Sequence, residues 1–155
     1  MKIIQDTREQ KGWDFIFAED LEIVRGTLKY GDYTTKLLEN KFIVERKAST
    51  GELYNNLATK KCKERFYREL TELEKFEKAY IVCEFPESYL SDFPKNSGIP
   101  QDKIKKLRIG TKYFCRLVRE LENKFDVDLV FCNDRYEEEA FVYNIAKTLE
   151  YKLTL

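Results

Sequence analysis

The 155-residue chain contains no histidine, and that absence excludes more chemistry than any other feature of its composition. Ser–His triads, Cys–His dyads and every metal site built on imidazole are ruled out. Its chemistry must run on carboxylates, Lys, Arg, Tyr or Cys. With 3 Pro and 6 Gly, the chain has too few breakers for a linker or a low-complexity protein. No apolar run approaches the ~20 residues of a membrane span, and Met1-Lys2-Ile3-Ile4 leads straight into charged residues, so neither an anchor nor a signal peptide is expected. Charge of one sign is not in excess, because 28 Lys+Arg offset 28 Asp+Glu. Contact with phosphates must therefore come from local patches. The 4 cysteines, Cys62, Cys83, Cys115 and Cys132, form no C-x-x-C, which argues against zinc. Cys83 and Cys132 sit in apolar runs as small core residues, and reduced thiols suit an intracellular setting, cytoplasmic, nucleoid-associated or nuclear.

What is present is enough for a full core. Hydrophobic residues make up 43% and aromatics 14%, and a chain of this length buries roughly 68–70% of its unfolded surface. There is no internal repeat. Short apolar runs at Lys2–Asp6, Leu21–Leu28, Tyr33–Leu38 and Phe42–Arg46, with turn chemistry at Tyr30–Asp32 and Glu39–Lys41, predict a β-meander. The period then changes. Leu53, Leu57, Phe66, Leu70, Leu73 and Phe76 predict helix from Thr50 to Lys78, split near Thr59–Lys63. Ala79–Phe85 and Val127–Cys132 read as buried strands, with an amphipathic helix over Lys103–Phe125 and a closing helix over Tyr136–Tyr151. The sum is an α/β protein, a mixed β-sheet flanked by helices, folded as one domain over residues 1–155.

Asp6 and Glu9 end the first strand, Asp32 follows Gly31, and Glu45 stands two positions before Lys47. Strand alternation puts Ile43, Glu45 and Lys47 on one face and Phe42, Val44 and Arg46 on the other. Carboxylates from neighbouring strands with an ammonium beside them form the skeleton of a metal-assisted phosphodiesterase. The competing reading is a set of solvated strand ends and surface ion pairs.

Three ordered blocks tip the balance. Asp6-Thr7-Arg8-Glu9-Gln10, Thr27-Leu28-Lys29-Tyr30-Gly31-Asp32-Tyr33 and Val44-Glu45-Arg46-Lys47 resemble the motifs of the XPF-type nuclease domain, in the restriction-endonuclease-like superfamily. Arg65-Phe66 resembles the family's Arg-Phe helix, and Ile81–Glu84 its next core strand. The resemblance spans essentially the whole chain. It implies a restriction-endonuclease-like fold and a Mg²⁺- or Mn²⁺-dependent DNA endonuclease. Asp6, Asp32 and Glu45 become metal ligands, with Glu9 ligating or supporting them. Lys47 becomes the group that orients water or stabilises charge, and Arg46 is grouped with Asp32, Glu45 and Lys47 as catalytic. Arg8 and Arg46 would pin the carboxylates or the scissile phosphate. The implied substrate is flap, fork or junction DNA, in repair, recombination or replication, with a homodimer or partner subunit supplying targeting.

Two departures stand out. Where the family carries Asp after the Glu-Arg-Lys block, this chain has Gly51, leaving Glu52 as the candidate replacement. Where members often carry Gln, it has Glu69. No helix-hairpin-helix module is evident, so a bare nuclease domain is expected. Candidate DNA contacts are Arg8, the cluster Lys60, Lys61, Lys63, Arg65 and Arg68, and the patch Lys105, Lys106, Arg108 and Lys112; for the patches the alternative is a solvated helix face. Trp13 and Tyr33 are candidate aromatic contacts, and the acidic run Asp134, Glu137, Glu138 and Glu139 is expected to face away from DNA. The rival functions are a non-catalytic DNA-binding or scaffolding subunit and a restriction-type, sequence-specific endonuclease.

Overall fold

A computed structural model describes all residues, Met1–Leu155. Its centre is a six-stranded sheet in the order β2-β1-β3-β4-β5-β6. The strands are β1 (Lys2–Asp6), β2 (Glu22–Gly26), β3 (Tyr33–Thr35), β4 (Phe42–Lys47), β5 (Lys78–Cys83) and β6 (Asp128–Phe131). The helices are α1 (Thr50–Leu57), α2 (Lys60–Leu73), α3 (Ser88–Asp92), α4 (Gln101–Ile104), α5 (Thr111–Lys124) and α6 (Arg135–Leu153).

The mixed sheet is as expected, but its first third is not a meander. β1 and β2 pair in parallel, Lys2 opposite Glu22 through Asp6 opposite Gly26, while β1–β3 and β3–β4 are antiparallel. A parallel neighbour needs a crossover rather than a hairpin, and residues 7–21 supply it. That segment carries Trp13 and Phe15 into the core, 2% and 1% exposed. The third strand is also shorter than its apolar pattern suggested, giving way to a 3₁₀ turn at Lys36–Leu38. The amphipathic stretch Lys103–Phe125 divides into α4 and α5, so Lys105, Lys106 and Arg108 lie on the connection between them.

Strand alternation divides the core in two. On one face Ile43, Ala79, Ile81 and Cys83 pack with Leu53, Phe66, Leu70, Phe114 and Leu117 beneath α1, α2 and α5. On the other, Phe42, Val44, Tyr80 and Val82 pack with Trp13, Phe15, Tyr33, Val142 and Ala146 beneath α6. Parallel β4 and β5 are covered on both faces, as such strands require, whereas β6, expected to be buried, is the edge strand and only half-buried, with Asp128 exposed. Helices start where their caps dictate. Ser49, Thr59 and Asp134 each accept the backbone N–H three residues on, a contact typically worth about 1 kcal/mol.

Candidate active site

The Gly31-Asp32 step creates the site. Gly31 has φ +78°, and a Cβ there would meet Ile43 Cγ1 at 2.4 Å, so the left-handed turn and the close approach both call for glycine. Released from that clash, Asp32 docks on β4 at both ends: its N–H donates to Val44 O at 2.8 Å, and its Oδ2 accepts from Arg46 N at 2.7 Å. The Asp32 carboxyl is thereby held against the face of β4 that carries Glu45 and Lys47.

Asp32, Glu45 and Glu69 line one cavity, close enough for the Asp32 and Glu69 charges to act on Glu45. Burial pushes the Glu45 carboxyl well above the ordinary carboxylate range, and the neighbouring Asp32 charge and the Glu69 contact add to the shift. Asp32 is raised as well, chiefly by burial, against the lowering effect of the Arg46 N–H. Lys47 is 5% exposed; its Nζ lies 3.9 Å from Glu45 Oε1 and 4.9 Å from the centre of the Phe66 ring. The aromatic face and the carboxylate together fix the ammonium beside Glu45.

Asp32, Glu45 and Glu69 border a cavity of about 700 Å³, whose lining also includes Asp6, Arg8, Glu9, Lys29, Arg65, Arg68 and Glu72; the Lys47 side chain does not line it and bears on it through Glu45. Asp6, 1% exposed, accepts from Arg8 Nε at 2.6 Å, Leu28 N at 2.9 Å and Arg8 N at 3.2 Å. Burial opposes ionisation, but these donors hold its pKa below the usual value. Glu9 is raised by burial and by Asp32, with Arg46 and Tyr33 opposing.

Arg46 is on the opposite face of the strand. Its guanidinium meets Glu84 at 2.9 Å, Glu9 at 3.5 Å and Glu138 at 4.0 Å, and lies over Trp13 at 5.9 Å. Its side chain does not line the cavity, so it bears on the site through its backbone N–H and through Glu9. Glu138 is wholly buried. Burial, then the Glu84 charge, pushes it up to about 8 against the opposing Arg46 and Trp13 contacts. The acidic run is therefore only half solvated: Asp134 and Glu137 cap α6, while Glu138 and Glu139 reach inward to Trp13 Nε1 and Asp14 N.

Other expected residues fall elsewhere. Glu52 does not line the cavity; its carboxylate accepts from Ala48 N at 2.8 Å in the cap of α1. Gly51 packs on the 97–98 segment, where a Cβ would stand 2.4 Å from Ser97 O, and an Asp there would have to displace backbone. Trp13 and Tyr33 are buried and stacked on each other at 4.3 Å, so they are core residues and not base platforms. Arg65 lines the cavity, whereas Lys63 turns to Tyr67 beside Lys124 in a separate hollow. Lys105 and Lys112 line none of the main cavities, and Lys106 lines a second one. Arg68, from the expected basic cluster, lines the cavity as well. Sequence reasoning left Glu69 and Lys29 out of the site; for Glu69 the available signal was helical spacing from Arg65, which puts residues four apart on one face.

No group of three acidic side chains is already drawn around one point. The donors still suit a hard divalent ion. Mg²⁺ is commonly held by one or two carboxylates, with water and substrate phosphate completing its shell, and Asp32 and Glu45 are such a pair, mutually repelling with one ammonium between several acids.

Comparison with known proteins decides the family. The ERCC4 domain matches residues 5–145. The chain belongs to the ERCC4 domain family. Among solved structures it resembles XPF from Aeropyrum pernix, with a TM-score of 0.66 at 16% identity, covering 96% of this chain and 61% of that one. XPF from Aeropyrum pernix in complex with DNA also gives a TM-score of 0.66, at 17% identity, covering 97% of this chain and 66% of that one. The ERCC4-domain chain described here thus spans about two thirds or less of those proteins. No curated protein matches the sequence. The six-stranded mixed sheet flanked by helices is shared with the XPF structures. No helix is long and apolar enough to cross a membrane.

Proposed function

We propose that this ERCC4 domain is a divalent-metal-dependent DNA endonuclease selective for flaps, forks or junctions. The observation that carries the proposal is the placement of Asp32 and Glu45 on one cavity rimmed by Arg8, Lys29, Arg65 and Arg68, with Lys47 Nζ 3.9 Å from Glu45. Asp32 and Glu45 would hold Mg²⁺ or Mn²⁺, with Glu9 and Asp6 beside them. When bound, that ion supplies a Lewis acid for the phosphoryl oxygen and lowers the pKa of water. The protein's own part is positional. Arg65 and Arg68 draw the phosphate in as fixed positive charges, and Arg8 holds Asp6 in place. Lys47, confined between Phe66 and Glu45, presents an ammonium where it can orient water or neutralise charge developing on phosphorus. The DNA-bound XPF relative supports DNA as substrate. A role in repair, recombination or replication, an intracellular location and a homodimer or targeting subunit follow from the same reading.

The proposal is tested by incubating labelled flap, fork, four-way and linear DNA with Mg²⁺, Mn²⁺ or EDTA. Cutting of branched over linear DNA, abolished by EDTA, supports it. Binding without cutting favours the scaffolding subunit, and cutting at one linear sequence favours the restriction-type enzyme.

A further inference from the structure

A second cavity, of about 530 Å³, lies between α1 and the segment 97–107. Its frame is fixed: Gly51 N donates to Ser97 O at 3.1 Å, and Arg108 N donates to Tyr54 Oη at 3.2 Å. Lys103 and Lys106 stand on its lining with Ser49, Asn55 and Ser97. Neither lysine pairs with a carboxylate. The one carboxylate on the lining, Glu52, is engaged by Ala48 N. What remains is two free ammonium groups above hydroxyl and amide groups, a lining suited to phosphodiester and sugar oxygens.

Its location gives this chemistry a use. Glu45 borders the first cavity and Ser49 the second, and four residues of chain span at most about 14 Å. We propose that this groove is a second nucleic-acid subsite, which binds the sugar–phosphate backbone of one DNA strand next to the phosphate held at Asp32 and Glu45. The inference rests on the nuclease reading for its substrate class. A subsite for the backbone of one strand favours DNA with an unpaired strand on one side of the cut.

The test measures binding in EDTA, where no cutting contributes. Fluorescence anisotropy of labelled fork DNA compares wild type, Lys103→Ala/Lys106→Ala and a control, Lys2→Ala/Lys36→Ala, after circular dichroism has shown all three folded. The groove variant should bind about tenfold more weakly at low salt, with a log K against log[salt] slope shallower by about 1.4, as expected for two lost phosphate contacts to a single strand. Single neutral methylphosphonates scanned along the unpaired strand should weaken wild type at one or two positions and leave the groove variant indifferent there. Unchanged affinity and slope in the groove variant, a loss matched by the control, or a wild type that binds no DNA would each overturn the proposal. A chain that binds through the groove but does not cut with Mg²⁺ would refute the nuclease reading and leave the groove standing.

Discussion

Arg46 N donates to Asp32 Oδ2 at 2.7 Å, while the Arg46 side chain extends through the opposite face of the sheet to Glu84 and Glu138. One residue therefore serves both layers. Its amide aims the Asp32 carboxyl at Glu45, and its guanidinium neutralises acids that would otherwise be buried without a partner. Changing the side chain leaves the amide in place, so the two roles separate by mutation.

Arg46→Met retains much of the apolar stem but removes the partner of Glu9, Glu84 and Glu138. Leaving buried acids unpaired typically costs about 3–5 kcal/mol. The expected outcome is a large fall in the denaturant midpoint near neutral pH, much of it recovered by adding Glu84→Gln, which removes the closest ionised partner of Arg46. Chemical denaturation of the single and double variants checks this. No loss in the single variant would show that the cluster is solvated.

The Glu138 carboxyl, raised to about 8, binds a proton in the folded state that the unfolded chain releases near the ordinary value of 4.5. Its contribution to stability is present below the unfolded pKa and is lost as pH rises toward about 8. The groups facing it are Glu84, Arg46 and Arg135, with Trp13 Nε1 as donor. Glu138→Gln preserves the acceptor for Trp13 and removes the titration. Its melting temperature should fall less than that of wild type between pH 5 and 8.5, measured by calorimetry; parallel pH profiles would contradict the assignment.

Gly51→Asp restores an acid at the position where the family resemblance expects one. With Ser97 O 2.4 Å from the new Cβ, it should destabilise by about 1–3 kcal/mol and give no faster cutting. Urea unfolding and a cleavage time course are the checks; a stable, faster variant would show that the 97–98 segment yields easily.

How much of this was legible beforehand depended on range. Glu45, Lys47 and the opposed Arg46 follow from strand alternation, and Asp32 from a glycine that permits close approach, so local geometry was enough. The parallel pairing of β2 was not, because nothing in residues 7–21 distinguishes a crossover from a wide hairpin loop. Trp13 and Tyr33 looked like candidate contacts because they flank charged motifs, yet the crossover stacks Trp13 on Tyr33 of β3 beneath α6. Glu138 looked solvated within an acidic run, since the arginine that accompanies it comes from a strand about 90 residues away. Glu69 reaches Glu45 only through the packing of α2 on the sheet.

Lys47→Met keeps the packing on Phe66 and removes the ammonium. Metal affinity, read by calorimetric Mn²⁺ titration, should be unchanged or tighter, because a positive charge has left the site. Single-turnover cleavage should fall by about 10²–10³, the scale of one lost transition-state donor. Loss of metal binding with the fold intact would make Lys47 an organiser of the site, and unchanged cleavage would remove it from the chemistry.

The central claim is that Asp32 and Glu45 form a metal-assisted cutting site. Single-turnover cleavage of labelled fork DNA by wild type and Asp32→Asn, in Mg²⁺ and in EDTA, tests it most directly, because the substitution preserves shape and removes one charge. The account predicts cutting by wild type in Mg²⁺ alone and none by Asp32→Asn, with equal melting cooperativity in both. Cutting by Asp32→Asn at the wild-type rate, or by wild type in EDTA, would contradict it.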